Sequence, residues 1–167
     1  EETMEFTRDN SVSVELKTNP TDPDSAKYKI NVLKLEGTES ARTVIRWHAD
    51  LQRVFQGMNI TTGPNQAIMA ESMTAGTALA LFKTAITTQA TENRLIRANA
   101  AYAATGGTDA AKQAAKDAIL AEPLISDDNT STDVVDAALK RLVAQLLPLK
   151  VLAKVKRALH RECCKPS

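Results

Sequence analysis

Aromatic side chains are scarce in this chain, 4% of 167 residues, with one Trp, two Tyr and three Phe. Any interior must therefore be filled by Ala, Leu, Val and Ile, and small side chains let helices approach closely. Cysteine is nearly absent as well. Its two copies are adjacent, Cys163-Cys164, and neighbouring residues rarely reach the geometry of a disulfide. That excludes a disulfide framework and fits free thiols in a reducing compartment. With only two histidines, His48 and His160, no Cys/His zinc pattern can be assembled and no metal site is expected. No apolar run approaches the roughly 20 residues needed to cross a bilayer, and no signal-peptide pattern is present. The expectation is a cytoplasmic protein without membrane association. The sequons Asn59-Ile-Thr61 and Asn129-Thr-Ser131 then read as chance matches. A Gly-x-Ser-x-Gly elbow, a P-loop and a dinucleotide fingerprint are all missing, so neither a cofactor nor an enzyme is expected.

What is present is enough for one domain. A chain of 18.0 kDa that is 43% hydrophobic can bury a sizeable core. Its formal net charge is only +1, but the charge is unevenly placed: residues 1–40 carry nine acidic against five basic side chains, and residues 140–167 carry eight basic against one acidic. The C-terminus is the basic end.

Two segments alternate with period 2. Val12, Val14 and Leu16 form one, Tyr28, Ile30 and Val32 the other, and the loop Asn19-Pro-Thr-Asp-Pro-Asp24 separates them. A β-hairpin is predicted, leaning on a helical body because two strands alone are marginal in water. After Gly37 the period becomes 3.6, with Thr38 as the expected N-cap and Glu39 in the first helical turn. Helices are predicted at about 39–57, 64–74, 76–103 and 109–122, with Pro64 in a first turn and Gly106-Gly107 as a terminator. A further helix, capped by Ser131 or Thr132, carries Val134, Val135, Ala138, Leu139, Leu142, Val143 and Leu146 on one face. Pro148 is expected to break it from a last helix at about 149–164.

That last segment is the most polarised. Leu152, Val155 and Leu159 form one stripe, and Lys150, Lys154, Arg157 and Arg161 form another at helical spacing. Three readings stand for the basic stripe: a solvated face, a non-specific contact with RNA phosphates, or a contact with acidic residues of a neighbouring subunit. The expected core anchors are Trp47, Leu51, Phe55, Leu79 and Phe82. Gly76 is read as allowing a tight bend or a close helix approach.

One arrangement goes beyond packing. Leu33-Lys-Leu-Glu-Gly37, Trp47, Phe55, Met69, Met73, Gly76-Thr-Ala-Leu79 and Phe82 follow one another in that order. A short apolar segment before a Gly, a Trp-bearing helix ending in an aromatic, and a helix leading to Gly-x-Ala-Leu plus an aromatic resemble the N-terminal capsid region of Gag proteins from long-terminal-repeat retrotransposons. The resemblance covers about residues 30–100, and more loosely 145–166, which looks like the helix before a second capsid lobe. The Ala-rich segment 98–122 and the absence of a zinc knuckle depart from the pattern. The resemblance implies a mainly α, capsid-like bundle, which the periodicity puts at about five to six helices; the N-terminal β-hairpin rests on the alternation and is not guaranteed by the capsid pattern. Its expected organisation is an arm over 1–36, a helical capsid domain over 37–147 and a basic helix or linker over 148–167. It also implies a structural protein that self-associates into pentamers and hexamers, enclosing retroelement RNA in a shell with at most weak RNA contact of its own. A Gag-derived helical module that binds a peptide or nucleic acid without forming a shell is the alternative.

Overall fold

The two periodicities of the sequence become two strands and, among the described residues, five helices. A computed structural model describes residues 11–163, with side chains over 11–148. In chain order the elements are β1 (Ser11–Lys17), β2 (Lys27–Leu33), α1 (Ala41–Gly57), α2 (Gly63–Ser72), α3 (Gly76–Ala104), α4 (Asp109–Leu120) and α5 (Thr132–Cys163). The fold is mainly helical with an N-terminal antiparallel hairpin, as the sequence predicts.

β1 and β2 pair antiparallel, with Val14 opposite Ile30 and Leu16 opposite Tyr28. Alternation decides which face is covered: Val14, Leu16 and Val32 are buried, whereas Ser13, Glu15, Lys29 and Asn31 are exposed. In the connecting loop Asn19 Oδ1 accepts from the amide and hydroxyl of Thr21, and Asp22 Oδ1 accepts from the amide of Asp24. These are local Asx bonds that replace backbone pairing through the turn. The buried hairpin residues join Leu35, Val44, Trp47, Leu51, Phe55, Phe82, Leu139 and Leu142 in one core cluster. The hairpin thus supplies part of the core, which is more than an appended arm would do.

Local chemistry moved one boundary. Ser40, rather than Thr38, caps α1: its side chain accepts from the amide of Thr43, at 3.3 Å. Glu39 does not enter the first turn. Its carboxylate reaches back to the amides of Glu36 and Gly37, at 3.0 and 2.8 Å, and that use holds the chain outside the helix until residue 41. At the other end of the chain Pro148 does not break the last helix. α5 runs continuously from Thr132 to Cys163 with Pro148 inside it. Proline removes the amide that would bond the carbonyl of Ala144. Both residues are exposed, so water can satisfy that carbonyl.

α3 and α5 lie against each other, and α4 packs chiefly on α3. No residue of α4 is fully buried. The Ala-rich segment therefore forms a second layer over the far half of α3, where the Lys112 ammonium sits 5.9 Å from the centre of the Tyr102 ring.

Candidate functional site

Several residues of the sequence pattern, Leu35, Trp47, Met73 and Gly76, meet at one junction. After β2 the chain makes a parallel bridge between Leu35 and Thr74. The Leu35 amide donates to the Met73 carbonyl at 2.9 Å, and the Ala75 amide donates to the Leu35 carbonyl at 2.8 Å. Trp47 reaches the same place from α1: its indole Nε1 donates to the Met73 carbonyl at 3.0 Å. A buried indole N–H needs such a partner, and one carbonyl with two lone pairs serves both donors. Gly76 then turns the chain into α3 with φ +54°, a conformation that side chains disfavour. The turn directs the Ala78 amide to the Glu36 carbonyl at 3.0 Å.

Four of the five expected anchors lie in the core: Trp47, Leu51, Phe55 and Phe82 are all at most 6% exposed. Leu79 is the exception. It stands half-buried outside the core cluster, and Ala78 occupies the inward position. The inward face of α3 runs Ala78, Phe82, Ala85, Ile86 and Ala90, and a residue one step from that stripe is rotated by about 100° away from it.

Beside the junction a groove of about 530 Å³ opens between the end of the hairpin and α1, lined among others by Asn31, Glu36, Thr43, Arg46, Trp47 and Asp50. Glu39 also lines it, so the carboxylates outnumber the single Arg46 along its wall. Among the described residues no group of three or more His, Cys, Asp and Glu is placed to hold a metal ion. No helix is long and apolar enough among them to cross a membrane.

Two features carried no signal that we read in the sequence. One is a clamp on the connection between α4 and α5: Arg97 bridges the Glu122 carboxylate at 2.6 Å and the Asn129 side-chain oxygen at 2.5 Å. The bond between Arg97 and Glu122 lowers the Glu122 carboxyl from its usual range and raises the Arg97 guanidinium. Asn129 is fully buried, and its amide nitrogen donates to the Pro123 carbonyl at 2.9 Å, which leaves the second sequon inaccessible. The other is the outward face of α1, where Arg42, Ile45, Arg46, Ala49 and Arg53 are all exposed. Their spacing puts them on one side of a helix, a pattern obscured in the sequence by the stronger apolar stripe opposite.

The basic stripe Lys150, Lys154, Arg157 and Arg161 falls on the last turns of α5, and its side chains lie outside the described residues. Cys164 lies outside them too. Comparison with family models, with curated proteins and with solved structures finds no match for this chain.

Proposed function

We propose that this chain is the N-terminal domain of a Gag-like capsid protein, a structural subunit that associates with copies of itself into a shell around retroelement RNA. One observation carries the reading. Leu35, Trp47, Met73 and Ala78 of the resemblance meet at the Met73–Gly76 junction, and Phe55 and Phe82 lie in the same core cluster. The pattern thus describes a single tertiary device. A subunit of this kind needs a rigid body more than a reactive centre, because symmetry multiplies modest contacts between stiff copies. Pentamers and hexamers inside the cell, with RNA held weakly or by other parts of the polyprotein, complete the proposal. Electron microscopy of the purified chain across salt and concentration tests it: rings, tubes or closed particles are expected. A chain that light scattering finds monomeric under every condition overturns it.

The groove beside Trp47 favours one second reading, a helical module that captures a peptide without forming a shell. Glu36, Glu39 and Asp50 make its lining acidic, which suits a basic peptide and opposes nucleic acid. Titration of a Lys-rich peptide into the monomeric chain, followed by Trp47 fluorescence, separates this reading from the first.

A further inference from the structure

The outward face of α1 is an apolar residue set among cations. Ile45 is 56% exposed, with Arg42 one turn before it, Arg46 next to it and Arg53 about two turns further along the same side of α1. Among the described residues Arg42 and Arg46 have no ion pair, and Arg53 reaches only Asp50, one turn back, at 4.0 Å. The connection before α5 presents the opposite arrangement. Ile125 is 50% exposed, and the exposed carboxylates of Asp127 and Asp128 follow it. Arg97 fixes that connection to α3 through Glu122 and Asn129, and it stands 3.8 Å from the Asp128 carboxylate, which remains 75% exposed, so the acidic tip is held by the fold and still open to a second partner. No ion pair joins the two patches within one copy among the described residues.

We infer that the α1 face of one copy docks on the Ile125-to-Asp128 connection of a second copy, with Ile45 against Ile125 and Arg42 and Arg46 facing Asp127 and Asp128. This rests on the self-association proposed above and names the contact that performs it. Each copy carries one basic and one acidic patch, so the contact either is returned by the same partner in a two-fold dimer or is passed from copy to copy until a rotation closes it into a ring. Complementary charge sets orientation and rejects other registers, since like charges brought together disfavour the wrong pairing.

Charge exchange tests the pairing. The double variants R42E/R46E and D127K/D128K are each compared with the unaltered chain by light scattering at about 0.15 M salt, where exposed charges still act over about 8 Å. Each variant alone brings like charges together and is expected to raise the concentration needed for assembly by about tenfold or more. In an equal mixture every contact between unlike copies pairs opposite charges, so association between alternating copies of the two variants is expected to recover. Should a reversed variant lose its helical circular dichroism, R42Q/R46Q and D127N/D128N carry the test, each expected to raise the assembly threshold and flatten its salt dependence. An unaltered chain that assembles while the variants match it, or while the mixture fails to rescue them, overturns the pairing and leaves the capsid reading standing. An unaltered chain that never assembles overturns both.

Discussion

Trp47 donates its indole N–H to the carbonyl of Met73 across 26 residues of sequence, and that bond fastens α1 to the bend between α2 and α3. The same carbonyl accepts the amide of Leu35, so the segment that follows the hairpin, the first helix and the bend share one oxygen. A core with few aromatics concentrates its volume and its one long-range indole bond in this side chain.

Replacing Trp47 by Ala is therefore expected to cost about 3–5 kcal/mol. Trp47→Phe keeps much of the ring volume and removes the donor, leaving the Met73 carbonyl with Leu35 alone, for about 1–2 kcal/mol. Chemical denaturation of both variants separates volume from hydrogen bond. Equal losses would mean that the ring volume Phe retains contributes nothing.

Gly76 offers a different measure of the same junction. A Cβ placed there meets only the Glu36 carbonyl, at an ordinary 3.7 Å, so the cost of Gly76→Ala lies in its backbone angle and not in a clash. The expected loss is about 1–2 kcal/mol. Gly76→Asn should cost less, since Asn tolerates the left-handed region. An Ala variant as stable as the parent in urea would contradict the φ of +54°.

The hairpin, alternating in sequence and marginal on its own, turns out to place Val14, Leu16 and Val32 in the common core. Each fully buried side chain of this size stabilises by about 1.5–3 kcal/mol, against a total of about 5–15 kcal/mol for a domain. Deleting residues 1–34 is expected to abolish cooperative thermal unfolding followed by circular dichroism. A truncated chain that still melts sharply, near the parent's midpoint, would make the hairpin dispensable to the fold.

How legible these features were in the sequence follows from the range of the forces that fix them. Alternation at Val12–Leu16 and the 3.6 period after Gly37 are local, and both elements formed where the pattern placed them. Pro64 and Gly106-Gly107 also act through their own backbone, and they punctuate α2 and α3 as expected. The N-cap moved from Thr38 to Ser40 because Glu39 turned back to two amides, a competition between neighbours that residue preference alone does not rank. Pro148 stayed within α5 because the carbonyl it frees is on an exposed side. Leu79 and Ala78 differ only by rotation about α3, and that angle is set by the bond from Ala78 to Glu36, distant in sequence. The Leu35 bridge and the Arg97 clamp are tertiary and leave no periodic trace.

The basic stripe of Lys150, Lys154, Arg157 and Arg161 keeps three readings, and one variant distinguishes them. If the stripe meets RNA phosphates, neutralising all four should weaken binding for every RNA sequence alike and make the slope of log affinity against log salt shallower by about 0.7 for each phosphate no longer neutralised. If it meets acidic residues of a neighbour, assembly without RNA should fail. Unchanged affinity and unchanged assembly would leave a solvated face. Stability should change little in each case, since exposed charges contribute about 0–1 kcal/mol.

Acid should loosen the contact between α1 and α5 through His48. Its Nε2 is buried without a hydrogen-bond partner among the described residues, and burial lowers its pKa, opposed by the Asp136 carboxylate and assisted by the Lys140 ammonium. Those two residues pair with each other on α5 at 2.9 Å, so Asp136 is already engaged. A folded-state pKa below the unfolded one means that the unfolded chain binds more protons as the pH falls, and stability then rises with pH. The contribution of His48 is complete above the ordinary imidazole value of about 6.5 and is lost as the pH falls through the lowered folded value. Urea denaturation between about pH 7 and pH 5 should show stability declining in the parent and a flatter profile in His48→Gln, which cannot titrate. Asp136→Asn removes the opposing carboxylate and should make the decline steeper than the parent's. Superimposable profiles for the parent and His48→Gln would place the acid sensitivity elsewhere in the fold.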